Sequence, residues 1–178
     1  PLPMKLSLLP VVAFESNSVG RTGPRNQKGY EPKMAIVALI QWLEKNGYTQ
    51  DDYDFYDIDV LLPSDEEIKN YFLDYQPTII GLSGILASTY REIKRVSRIA
   101  REACPDAWIL MGGHLAAASN TVLRKTEVDI CIAGDGEIPL IELLDYVKTH
   151  GRQWDFSKLS KINGLCFVDD ADKTCFTG

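Results

Sequence analysis

Short apolar, β-favouring runs alternate with helix-length segments five times along this chain, which leaves few folds open to it. Lys5 to Phe14 reads as a first strand and Tyr53 to Ile58 as a second. Thr78 to Leu82, Trp108 to Met111 and Val128 to Ala133 read as the third, fourth and fifth. After the first strand, Met34, Ile36, Val37, Leu39, Ile40 and Leu43 recur at helical spacing, with Pro32 suited to a first turn and Asn46-Gly47 to a stop. Ser64-Asp65-Glu66-Glu67 spells a capping box, in which the Ser64 hydroxyl takes the Glu67 amide and the Glu67 carboxylate reaches back. The helix it opens should run to about Tyr75 and stop before Pro77. Further helices are expected from about Ser88 to Ala103, near Asn120 to Lys125, and from Ile138 to His150.

Strands alternating with crossover helices predict a parallel sheet covered on both faces. Right-handed crossovers favour the flavodoxin-like order 2-1-3-4-5, so the expected class is α/β, a Rossmann-like open five-stranded parallel sheet. Beyond Gly151 the character changes. Gly164 to Val168, the turn Asp169-Asp170-Ala171-Asp172 and Thr174 to Phe176 read as a C-terminal β-hairpin. Residues 1–150 are thus expected to form the binding domain and 151–178 a linker and hairpin. The last run stops at Gly178 like an unfinished strand, so the chain reads as a piece of something longer.

The 178 residues are enough for one domain with a real core. A net charge of −6 argues against a nucleic-acid partner, which needs a basic face. Arg91, Lys94, Arg95, Arg98 and Arg101 fall at helical spacing and read as a solvated helix face. No run is long enough to span a membrane, and no signal peptide is recognisable, so a cytoplasmic location is expected. Cys104, Cys131, Cys166 and Cys175 show no metal-ligand spacing and are assigned to structure. Cys166 and Cys175 could face each other across the hairpin, though a reducing cytoplasm disfavours a disulfide.

Three small-residue segments follow three of the strands: Gly81-Leu82-Ser83-Gly84-Ile85-Leu86, Met111-Gly112-Gly113-His114 and Gly134-Asp135-Gly136-Glu137. In open α/β sheets ligands bind beyond the carboxyl ends of the strands, so three such loops describe one wide binding edge. Glycine lets backbone approach a ligand with no Cβ between. Asp135 and its flanking amides suit a ribose or phosphate, and Glu137 sits where a helix dipole favours a carboxylate. One such loop would serve only a tight turn; three at adjacent strands favour a site. Ser88 is more often a helix cap than a ligand, and His114 either touches a ligand edge or begins a loop. There is no GxxxxGK[ST], no GxGxxG after the first strand and no GxSxG, which removes the phosphate-loop and hydrolase readings. A receiver domain would want an acidic cluster after the first strand, where only Glu15 is available.

The Gly81 to Leu86 segment followed by Gly112-Gly113 resembles the Ser-x-Leu and Gly-Gly elements of cobalamin-binding domains, as in methionine synthase and the cobalamin mutases. Gly134 to Glu137, with Pro139 and Leu143-Leu144 behind it, is similar more specifically to the Gly-Glu-Gly-Glu motif of the cobalamin-binding domain that precedes a radical SAM barrel. The resemblance implies a corrinoid across the carboxyl edge with its nucleotide tail in a pocket. It makes Ser83, Gly84, Ile85, Leu86, Ser88, Gly112, Gly113, His114, Gly134, Asp135, Gly136 and Glu137 the candidate cofactor-binding residues. Ser83 would bond the base, Gly112 and Gly113 would let the tail pass, and Gly134 to Glu137 would cradle ribose and phosphate.

Cobalamin domains of the methionine synthase type carry Asp-x-His-x-x-Gly after the first strand, and its histidine ligates cobalt. Here Glu15 to Gly29 contains no histidine, a departure shared with radical SAM members. The implied whole is a radical SAM methyltransferase, with a 4Fe-4S cluster and S-adenosylmethionine on a downstream barrel. The piece in hand lacks the cluster cysteines and should be inactive alone. The alternatives are a radical SAM cyclase or rearrangement enzyme, or a Rossmann-like module that has lost cobalamin and only positions a partner. A Gly112-Gly113 pair shielded by Leu115 to Ala118 would support the last.

Overall fold

The computed structural model describes residues 3–11, 34–84, 89–113 and 118–178. Its strands are β1 (Leu6–Pro10), β2 (Tyr53–Phe55), β3 (Ile79–Ser83), β4 (Trp108–Gly112), β5 (Ile130–Ile132), β6 (Leu165–Val168) and β7 (Thr174–Phe176). They form one sheet in the order β2-β1-β3-β4-β5-β6-β7. The first five are parallel in the order 2-1-3-4-5, the α/β arrangement expected from the alternation. One expectation is corrected: the hairpin extends the same sheet to seven strands, with β6 antiparallel to β5 and β7 antiparallel to β6. Ala133 donates to the Gly164 carbonyl at 2.9 Å, and Leu165 and Phe167 are buried against one face. The hairpin so closes the edge that β5 would otherwise leave open.

The helices are α1 (Met34–Lys45), α2 (Ile58–Leu61), α3 (Asp65–Tyr75), α4 (Tyr90–Ala103), α5 (Ser119–Lys125), α6 (Glu137–His150) and α7 (Phe156–Leu159). Two of them were not expected. The second strand ends at Phe55 because the Asp57 carboxylate accepts from the Val60 amide at 3.2 Å and opens α2 instead. Asp155 opens α7 in the same way, accepting from Lys158.

Period-two alternation divides the core between the two faces of the sheet. Leu6, Leu8, Ile79, Trp108, Leu110, Ile130 and Ile132 pack against α1 and α6. Leu9, Ile80, Leu82, Ile109, Met111 and Cys131 pack against α3, α4 and α5. Arg91, Lys94 and Arg98 are exposed, as a solvated face requires. Arg95 and Arg101 are not: each keeps only 25% of its side chain exposed. Arg95 binds Glu92 and Asp65, tying α4 to α3. Arg101 donates to the carbonyls of Pro105, Ala107 and Glu127 and, at 2.6 Å, to Asp129. Burial holds the Asp129 carboxyl above its ordinary range. It also accepts from the Ile109 amide, so this pair clamps α4, β4 and the approach to β5 at the amino edge.

All four cysteines are free. Cys166 stands opposite Phe176 and Cys175 opposite Phe167, so the two thiols do not face each other across the hairpin. Among the described residues no helix is long and apolar enough to cross a membrane.

Candidate functional site

Residue size falls along one face of the sheet as the strands approach their carboxyl ends. On the side covered by α1 and α6, the first row is Leu6, Ile79 and Trp108. The next is Leu8, Gly81 and Leu110, and the last is Pro10, Ser83 and Gly112. On the other face the same strands keep Leu9, Leu82 and Met111, all buried. The shrinkage is therefore one-sided. It opens a cavity of about 500 Å³ between the sheet and the two helices, within the range of small-molecule sites.

The cavity is floored by Leu8, Gly81 and Leu110 and walled by Ile36 and Leu39 of α1 and by Ile132 and Leu140 on the α6 side. Its mouth carries Ser83, Gly112, Gly113 and the run Gly134 to Glu137. Gly134 has φ +72°, in the left-handed region, which turns the chain from β5 toward α6 and leaves open space where a side chain would stand. Gly136 is the N-cap of α6 and offers no capping side chain. The first-turn amides of that helix thus lie at the mouth beside the carboxylates of Asp135 and Glu137, where the helix dipole favours an anion.

Two adjacent glycines have different duties. A Cβ on Gly112 would meet nothing within 4 Å among the described residues, so this position opens straight into the cavity. Gly113 has φ +101°, and a Cβ there would collide with the Gly84 carbonyl oxygen. Gly84 in turn donates its amide to the Gly112 carbonyl at 3.2 Å. The loop after β3 lies backbone against backbone on the loop after β4, which only glycine permits.

Of the residues singled out in the sequence, Ser83, Gly112, Gly113, Gly134, Asp135, Gly136 and Glu137 come together around this one cavity. Gly84 stands behind it as the support for Gly113. Ile85, Leu86, Ser88 and His114 lie outside the described residues. Sequence reasoning named Gly81 within its segment but left it out of the candidate residues, and it passed over the apolar floor and walls. Their signal was available in part: Gly81 and Ser83 are small at alternate positions, on either side of Leu82.

An apolar slot with a polar, anion-tolerant mouth fits a nucleotide tail, with a flat base inside and ribose and phosphate at the rim. The sequence profile of the B12 binding domain matches residues 25–144. The chain belongs to the B12-binding domain family. In that family's terms the cavity is the candidate cobalamin site: Gly81 and Gly112 leave the space, and Ser83, Asp135 and Glu137 furnish the polar side chains at its rim.

A solved structure described as a novel cobalamin-binding protein from Desulfitobacterium hafniense DCB-2 matches this B12-binding domain with a TM-score of 0.45 and 15% identity. The match covers 84% of this chain and 58% of that one, so the chain spans less than two thirds of that protein. No protein with a curated description matches.

Proposed function

We propose that this B12-binding domain carries cobalamin for a radical SAM enzyme, a methyltransferase acting on an unactivated carbon. The corrinoid supplies the transferable methyl group. The domain binds it, orients it on the carboxyl edge and presents its upper face to a partner domain bearing the 4Fe-4S cluster and S-adenosylmethionine. The observation that carries the reading is the placement of Gly134 to Glu137, the segment similar to the radical SAM subgroup, at the mouth of the cavity cut by Gly81, Ser83 and Gly112.

The loop after the first strand, where the lower histidine of the methionine synthase type stands, argues for cobalt without one below it; His114 lies outside the described residues. Glu15 to Gly29 contains no histidine. His150 ends α6, whose first turn borders the cavity, so it lies roughly 20 Å away along the helix axis. The experiment is titration with hydroxocobalamin and methylcobalamin, followed by visible spectroscopy and retention through gel filtration. Stoichiometric retention with a base-off spectrum is the expected outcome. Imidazole superhyperfine splitting in the electron paramagnetic resonance of the cobalt(II) form would contradict the histidine-free arrangement. For the radical SAM assignment, the full-length polypeptide reconstituted with iron and sulfide should show a 4Fe-4S signal and cleave S-adenosylmethionine. A full-length protein that binds cobalamin and does neither would overturn it.

A further inference from the structure

We propose that the cavity selects corrinoids by their lower base, taking a benzimidazole or a phenol and discriminating against a purine; this deepens the cobalamin reading above and rests on it. The polar side chains that line the cavity among the described residues are Ser83, Asp135 and Glu137. All three belong to the rim: Ser83 ends β3, and the other two follow β5. One row deeper the sheet presents Leu8, Gly81 and Leu110, and the helices answer with Ile36, Leu39 and Leu140. The backbone groups at that depth are engaged in the parallel pairing of β1, β3 and β4 and do not turn toward the cavity.

A benzimidazole entering this slot presents carbon and methyl groups to the leucines and the isoleucine. A phenol linked through its oxygen does the same. An adenine of similar outline carries ring nitrogens and an exocyclic amine on the very edge that enters first. Each would give up water and find no partner among these side chains, and a buried polar group left unpaired costs far more than a lost contact between apolar ones. The selection is thus exclusion by an apolar floor, with the rim acting on the ribose and phosphate common to all cobamides.

The test measures dissociation constants of the chain for cobalamin, p-cresolylcobamide, adenylcobamide and the tail-less dicyanocobinamide, by ultrafiltration and corrin absorbance. Cobalamin and p-cresolylcobamide should bind with similar affinity, and adenylcobamide about tenfold to hundredfold more weakly. Equal binding of adenylcobamide and cobalamin would overturn the selection while leaving corrinoid binding intact. Equal binding of cobinamide would place the tail outside the cavity and overturn it too. Failure of every corrinoid to bind would instead remove the reading on which the proposal rests. Leu39→Gln adds a site-specific arm: Leu39 is only half-buried on α1, so an amide is tolerated there and supplies a partner for a purine. Its ratio of adenylcobamide to cobalamin affinity should rise; an unchanged ratio in a folded variant would contradict a base seated against α1.

Discussion

Gly112 and Gly113 are neighbours that the sequence cannot tell apart, and the structure separates them by what surrounds each Cβ position. Gly112 has no positive φ and faces open cavity, so Gly112→Leu should fold normally and weaken cobalamin binding by at least about tenfold, since the added side chain occupies ligand space. Gel filtration with corrin absorbance, alongside circular dichroism, reads both properties. Wild-type affinity in the folded variant would exclude this cavity as the site. Gly113→Ala is the converse. It combines a left-handed backbone with a collision against the Gly84 carbonyl, and should cost at least about 2 kcal/mol of stability. A lowered melting temperature in the absence of any corrinoid would show it, and an unchanged one would refute the backbone-on-backbone contact.

Secondary-structure elements follow local chemistry closely where a single residue decides an end. In α3 the sequence Ser64-Asp65-Glu66-Glu67 forms the reciprocal box it spells, with Ser64 accepting from the Glu67 amide at 3.1 Å and Glu67 accepting from the Ser64 amide at 2.7 Å. Ser64→Ala should cost about 1 kcal/mol, read as a shift of the denaturant midpoint. Where two local preferences compete, the sequence was harder to read. Tyr53 to Ile58 has the composition of a strand, and the Asp57 carboxylate diverts its second half into α2. The arginines of α4 were equally ambiguous. Their spacing shows a polar face, yet Arg101 finds the Asp129 carboxylate and three carbonyls only once β4 and the start of β5 arrive beside it.

Over the full sheet, the acid side of the stability curve can be assigned a sign. The Asp155 carboxyl is drawn down from its ordinary 3.8 to about 2, first by the Ser157 hydroxyl and then by Lys158. A group held lower in the folded state adds stability above its unfolded value and loses that contribution as pH falls through the folded one. Asp155→Asn keeps a helix-capping acceptor and removes the titration. Its melting temperature should therefore fall less than that of the wild type between about pH 4 and pH 2. A parallel fall in both proteins would show that Asp155 is not linked to folding. Asp129, raised by burial, acts in the opposite direction, favouring the folded state as it takes up a proton, and so offsets part of the acid loss.

The alternation of strands with crossover helices, the parallel core 2-1-3-4-5 and the edge that carries the glycine loops were readable from hydrophobic period, caps and crossover handedness, because these are local or nearly local properties. The loops at that edge were readable for the same reason: a glycine at a strand end declares its freedom without reference to its neighbours. The cavity was not. It exists because Gly81, Ser83 and Gly112 share one face while Leu82 and Met111 fill the other, and because α1 and α6 roof that face. Register and roofing are settled by packing between segments far apart in the chain, as are the contact of Gly113 with Gly84 and the docking of the hairpin on β5. One residue of slip would carry every one of these side chains to the opposite face, so only the assembled sheet decides where the small residues meet.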